Sequence, residues 1–247
     1  MHLLISNDDG IMAIGLHHLV TRLKSCYPAT VIAPDRDLSG SSHFLTLSRP
    51  VQVIMHEKER FAVDGTPADC VYLGINGAFD QPMDMVVSGI NMGANMGDDV
   101  LYSGTVAAAM EGRFLSHPAI AISLAGHTHY STAADIALQL VQQIGEINLP
   151  DRCILNVNVP DLPVVQLKGY QVTRLGRRHM SASAINASHP RDKNCYWIGP
   201  AGAVEDATPG TDFHAVAQGY VSITPLAPDM LSQAALEPLS QWLDVHL

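Results

Sequence analysis

The sequence predicts an α/β protein, a mostly parallel sheet with helices packed on both faces. Three observations carry that expectation. Short apolar runs alternate with segments of helical period through the first 160 residues, the runs are apolar at nearly every position, and polar loops follow them. A strand that is apolar throughout is buried on both faces, which is the condition of a parallel sheet between two helical layers.

The elements follow in order. "HLLIS" (2–6) is a first strand ending in turn residues, and Leu16, Leu19, Val20 and Leu23 behind it share one face of a helix. "TVIAP" (30–34) is a second strand, closed by Pro34. "GTPADCVYLGI" (65–75) opens a helix, since Thr66 suits the cap, Pro67 the first helical position and Asp69 the first turn. "MDMVVSG" (83–89) and "AIAISLA" (119–125) are further strands. Between them "TVAAAMEGRFL" (105–115) is rich in helix formers behind a Ser-Gly-Thr cap. "TAADIALQLVQQI" (132–144) is an amphipathic helix and "RCILNVNVP" (152–160) a last buried strand.

Beyond about residue 160 the texture changes. The strand-like pieces "GYQVTRL" (169–175) and "CYWIG" (195–199) sit among Gly, Pro and Ser, and "GYVSITPL" (219–226) precedes a final helix over roughly 229–245. The chain therefore divides into an α/β core over 1–160 and a β-rich extension with a terminal helix over 161–247, one structural domain with an elaboration. Segments of the latter kind commonly pair with another subunit.

Composition narrows the function. Fourteen basic residues against twenty-four acidic ones give a formal charge of −10. That balance argues against a nucleic-acid polymer as partner, because such binding needs a basic stripe. A small phosphorylated substrate remains compatible, since a metal ion supplies positive charge locally. Cys26, Cys70, Cys153 and Cys195 have no C-x-x-C spacing and read as reduced thiols. No run has the length of a signal peptide or membrane span, so a cytoplasmic protein is expected.

Three polar loops begin where apolar strands end. They are Asn7–Gly10, "DRDLSGSSH" (35–43) and "INMGANMGDDVLYSGT" (90–105). In a doubly wound sheet the carboxyl ends of parallel strands share one edge, and ligands bind in the crevice there. The loops bring the carboxylates of Asp8 and Asp9, the hydroxyls of Ser39, Ser41 and Ser42, and the amide oxygens of Asn91 and Asn95. Oxygen donors without thiolates suit a hard cation such as Mg²⁺ or Mn²⁺, which also relieves the repulsion between adjacent acids. Ser103, Gly104 and Thr105 open a helix whose first amides are unpaired, a setting that receives phosphate. His43 is an auxiliary candidate for acid–base work. The His-x-His of "GHTHY" (126–130) lacks a third zinc ligand, and the basic patch "RLGRRH" (174–179) reads first as solvated surface, with contact to substrate or a neighbouring subunit as the alternative.

"ISNDDGI", "IAPDRDLSGSSH", "GTPADCVYLG", "VVSGINMGANMGDDVLYSGTVAAAMEG" (86–112), "NVNVP" (156–160) and "GYVSITPL" occur in this order over essentially the whole chain. Together they resemble the SurE family, the survival-protein nucleotidases. The resemblance implies a divalent-metal-dependent phosphatase of nucleoside 5′- and 3′-monophosphates, with exopolyphosphatase activity on short chains. It puts one Mg²⁺ or Mn²⁺ per subunit on Asp8, Asp9, Ser39 and Asn91, and phosphate contacts on Asn95, Ser103, Gly104 and Thr105. It also implies a Rossmann-like core whose C-terminal extension is exchanged between subunits of a dimer or tetramer. One departure stands out: many relatives read Ala-Pro-Gly where this chain has Ala13-Ile14-Gly15.

The expected chemistry is hydrolysis by water, activated by the ion and oriented by Asp8 or Asp9. Asn7 stands two residues before Asp9, where an aspartyl-phosphate enzyme would carry its nucleophile. A dinucleotide-binding Gly-x-Gly-x-x-Gly is missing after the first strand. Two rival readings are a metal-dependent sugar-nucleotide glycosyltransferase, on the Asp-x-Asp of "DRD" (35–37), and a non-enzymatic, metal-stabilised oligomeric binding module.

Overall fold

The structure is a computed structural model and describes residues 1–188 and 194–246. In chain order the core holds β1 (Leu3–Ser6), α1 (Ile14–Lys24), β2 (Ala29–Pro34), β3 (Val53–Glu57), β4 (Arg60–Val63), α2 (Pro67–Ile75), β5 (Met85–Met92), α3 (Gly104–Glu111), β6 (Ile120–Ala125), α4 (Tyr130–Gln143) and β7 (Ile154–Pro160). The remainder holds β8 (Tyr170–Val172), β9 (Arg177–Arg178), β10 (Ile185–Ala187), β11 (Cys195–Trp197), β12 (Val204–Asp206), α5 (Asp212–Ala217), β13 (Val221–Leu226) and α6 (Gln233–His246).

The apolar strands alternate between two cores. Leu3 and Ile5 pack with Leu16, Leu19 and Leu23 of α1 and Ile136 and Val141 of α4. Leu4 points the other way, into a second cluster with Cys70 and Val71 of α2 and Val106 and Ala109 of α3. Residues one apart on a strand face opposite sides, so a strand between two helical layers must be apolar at every position. The result is the expected three-layer α/β arrangement.

The main sheet has the order β3-β4-β2-β1-β5-β6-β7-β13-β8. From β4 to β7 every neighbouring pair is parallel, whereas β3 and β13 each join antiparallel. The chain runs outward from β1 through β2 to β4, then returns to β5 on the other side and runs outward again. β1 and β5 therefore flank the switch point, where ligands bind beyond the strand carboxyl ends. The sheet also continues past residue 160, because β13 pairs with β7 and β8 pairs with β13.

Several elements differ from the sequence expectation. The hairpin β3–β4 was not foreseen, because β3 is exposed at all five positions and carries no burial pattern. The one-and-a-half-turn α5 was missed for its brevity. β5 runs three residues beyond Gly89, through a cis Gly89–Ile90 peptide, so Asn91 lies within the end of a strand rather than in a loop. The approach there is close: a Cβ on Gly89 would stand 2.3 Å from the Ile122 carbonyl oxygen.

Candidate active site

A cavity of about 750 Å³ opens at the switch point. Asp8, Ser39, Asn91, Asn95 and Ser103 form part of its lining. Three strand ends thus converge, with β1 leading to Asp8, β2 leading to Ser39, and β5 carrying Asn91 as its last residue but one.

Asp8 is 3% exposed. Burial pushes its carboxyl above the usual carboxylate range and the nearby Asp37 adds to this, against hydrogen bonds from Thr105. Asp9 is pushed up to about 7, by burial first and then by the charge of Asp8. Its carboxylate accepts a hydrogen bond from the Met92 amide at 3.2 Å. Among the described residues no Lys, Arg or His forms an ion pair with either acid. A buried carboxyl and a half-buried one therefore stand side by side, and among the described residues neither has a counter-charge.

The neutral donors are oriented by their own hydrogen bonds. Asn91 donates its amide nitrogen to the Gly93 carbonyl at 2.9 Å, leaving Oδ1 as the unused atom. The Ser39 hydroxyl donates to Asp37 at 2.6 Å, so its lone pairs remain available as an acceptor. Asn95 is fixed by its main chain. Its N–H donates to Asn158 Oδ1 at 2.8 Å, and its carbonyl accepts from the side-chain amides of Asn156 and Asn158 at 2.9 Å each. Its own side-chain nitrogen donates to Ser123 at 2.9 Å. The paired asparagines of "NVNVP" are thus the frame for Asn95.

At the start of α3 the Ser103 hydroxyl caps the Val106 amide at 3.1 Å. The Thr105 hydroxyl donates to Asp8, and a Cβ on Gly104 would stand 2.7 Å from the Asp8 Cβ. Ser103 and Asn95 line the cavity, whereas Gly104 and Thr105 stand behind Asp8 and hold it. His43 is outside the lining and pairs with Glu111 at 2.6 Å.

The donor set tests well against a hard divalent cation. It offers two carboxylates lacking a counter-charge together with Asn91 Oδ1 and Ser39 Oγ, all oxygens, as Mg²⁺ and Mn²⁺ prefer. Among the described residues no three His, Cys, Asp or Glu side chains form a metal cluster, so neutral oxygens would have to complete the shell. In the "GHTHY" loop, His129 is occupied by Asp161 at 2.9 Å. Burial opposes the charge on Asp161, but hydrogen bonds from His129, His127 and Thr128 outweigh it and hold the carboxyl below its ordinary range.

Part of the cavity wall was not foreseen. Asp98, Asp99 and Tyr102 come from the loop before α3, while Arg178, His179 and the stretch 198–202 come from the extension. The "RLGRRH" reading is corrected at Arg178 and His179, which line the cavity, Arg178 being only 23% exposed and paired with Asp99, whereas Arg174 and Arg177 are exposed as expected. The long 86–112 motif contained the acids of this pairing, but nothing local linked them to residues eighty positions away.

Fold and cavity together define an α/β protein with an acidic, oxygen-lined pocket at the switch point of a parallel sheet. The family model described as survival protein SurE matches residues 3–182. Relatives named 5′-nucleotidase SurE agree over the full length. The one from Halorhodospira halophila is 53% identical over 99% of this chain and 98% of its own, and the one from Aeromonas hydrophila is 53% identical over all of both. The crystal structure of the SurE protein from Aquifex aeolicus matches with a TM-score of 0.85 at 38% identity, covering 99% of this chain and 100% of that one. The chain belongs to the SurE family.

Proposed function

We propose that this protein is a divalent-metal-dependent phosphatase that hydrolyses nucleoside 5′- and 3′-monophosphates, and also short polyphosphate. The observation that carries the reading is the uncompensated Asp8–Asp9 pair, of which Asp8 lines the cavity beside the start of α3 while Asp9 lies outside the lining. The names of the full-length relatives support the nucleotide substrate.

Asp8, Asp9, Asn91 and Ser39 would hold one Mg²⁺ or Mn²⁺ per subunit. When bound, the cation supplies Lewis acidity toward the phosphoryl group and the charge that lets both acids ionise. Ser103 and Asn95 receive the phosphoryl oxygens, and the amino end of α3 adds a favourable dipole. Thr105 and Gly104 serve this arrangement by fixing Asp8 against that helix end. Asp8 or Asp9 orients the attacking water and accepts its proton. Asn7 carries no carboxylate and its amide nitrogen is bonded to the Gly10 carbonyl at 3.0 Å, which supports water as the attacking group, and no phosphoenzyme is needed.

The extension supports assembly. Every α6 side chain described is exposed, and Leu236, Leu239, Trp242 and Leu243 among them are apolar. We infer that a second copy covers them in a dimer or tetramer with exchanged extensions. Among the described residues no helix is long and apolar enough to cross a membrane, which is compatible with a cytoplasmic site of action.

The test is inorganic phosphate release from a panel of nucleoside monophosphates and short polyphosphate, with Mg²⁺, Mn²⁺ or EDTA. Release with either metal and none with EDTA is expected. Cation binding and thermal stabilisation without release from any substrate would overturn the enzyme reading in favour of a binding module.

A further inference from the structure

The loop between Asn95 and Ser103 contains a 3₁₀ turn, Gly97–Leu101, and both its ends border the cavity. Its grip comes from the extension. The Asp212 carboxylate, fully buried, accepts the Gly97 amide at 2.8 Å with one oxygen and the Gly176 amide at 2.8 Å with the other. Arg178 holds the next two residues. Its own amide donates to Asp98 at 2.7 Å, and its Nε and Nη2 meet the Asp99 carboxylate at 2.8–3.0 Å. Its Nη1 donates to the Gly202 carbonyl at 3.1 Å, and the guanidinium lies 5.0 Å over the Phe213 ring.

An arginine lining a cavity beside a phosphate-binding helix invites assignment as a direct substrate contact. Its hydrogen bonds point first to a structural task. Nε and Nη2 meet Asp99 and Nη1 donates to Gly202, so three of its five N–H donors fix the guanidinium to the protein itself. A fork–carboxylate pair of this kind adds fixed geometry as well as attraction. What it fixes is the turn that delivers Ser103.

We propose that Arg178 is a positioning residue, a latch through Asp99 that ties the C-terminal extension to the loop delivering Ser103. The assignment rests on the phosphatase reading for its kinetic consequence, though not for its structural one. With the latch open, the loop samples conformations in which Ser103 is misplaced, and apparent affinity falls by the fraction that remains competent. The effect therefore appears in KM more than in kcat.

The test is a double-mutant cycle on the full chain with Arg178→Ala, Asp99→Ala and the pair, read by steady-state kinetics and by hydrogen exchange of the 98–103 amides. Each single variant is expected to raise KM about tenfold with kcat within about threefold, and the double variant to be no worse than either. Arg178→Lys, which keeps the charge but not the fork, recovers only part of the KM. Amides 98–103 exchange faster in Arg178→Ala while the bulk of the sheet keeps its protection. Wild-type exchange in this loop, or an Asp99→Ala enzyme with unchanged or lowered KM, would overturn the latch and leave Arg178 free to touch substrate. If the parent releases no phosphate, the phosphatase reading fails and exchange alone decides the latch.

Discussion

Asp8 carries most of the argument at the scale of single residues, because it is buried, acidic and unmatched by a cation. Asp8→Asn is expected to reduce metal-dependent phosphate release by at least about a hundredfold and to abolish the rise in Tm on adding Mn²⁺, read by calorimetry. Gly104→Ala tests the same contact sterically, since its new Cβ would stand 2.7 Å from that of Asp8. It should lower activity while leaving the fold intact by circular dichroism. Without metal, Asp9 keeps its proton up to about pH 7, whereas the unfolded chain loses it near 3.8. The folded form binds the extra proton between those values, so stability falls as pH rises through that window. Denaturant unfolding in EDTA should show this decline, and Asp9→Asn should make it shallower. The acidic pair was legible in the sequence because two adjacent acids follow an apolar run directly. Arg178 was not, because its partner Asp99 is brought to it only by the folding of the extension.

Elements differ in how much their ends say about them. α2 announced itself: Thr66 accepts the Asp69 amide at 3.1 Å, Asp69 accepts the Thr66 amide at 2.8 Å, and Pro67 opens the helix. Thr66→Ala should cost about 1 kcal/mol or somewhat more in urea unfolding, since the hydroxyl also donates to Phe44 in the preceding loop. The start of α1 is the opposite case. Ala13 caps it with no side-chain bond, and its extended backbone, φ −61° and ψ 140°, is the conformation a following proline requires. Ile14→Pro, at the first helical position, should therefore stabilise by about 0.4–1 kcal/mol with activity unchanged. Strands between two helical layers were readable because burial on both sides leaves no polar position. The edge strand β3 was unreadable for the complementary reason: with all five residues exposed, hydrogen bonding to β4 alone makes it a strand.

Across the whole molecule, the sheet order follows from the alternation of strands and helices, but the pairing of β13 with β7 and of β8 with β13 does not. Both depend on chain that returns after a long excursion. The exposed apolar stripe of α6 sets the expectation for assembly. Leu239→Glu should shift the protein toward monomer by light scattering coupled to size exclusion, and should reduce the dependence of Tm on protein concentration. Unchanged mass would remove α6 from the interface. The cavity itself is made in two instalments: its chemical floor comes from residues 8 to 103, its far wall from 178 to 202. Reactivity and shape are thus written in separate stretches of the gene. Drift in the second stretch can alter which molecules fit while the first keeps the reaction, so kindred proteins of this architecture can diverge in diet without relearning their chemistry.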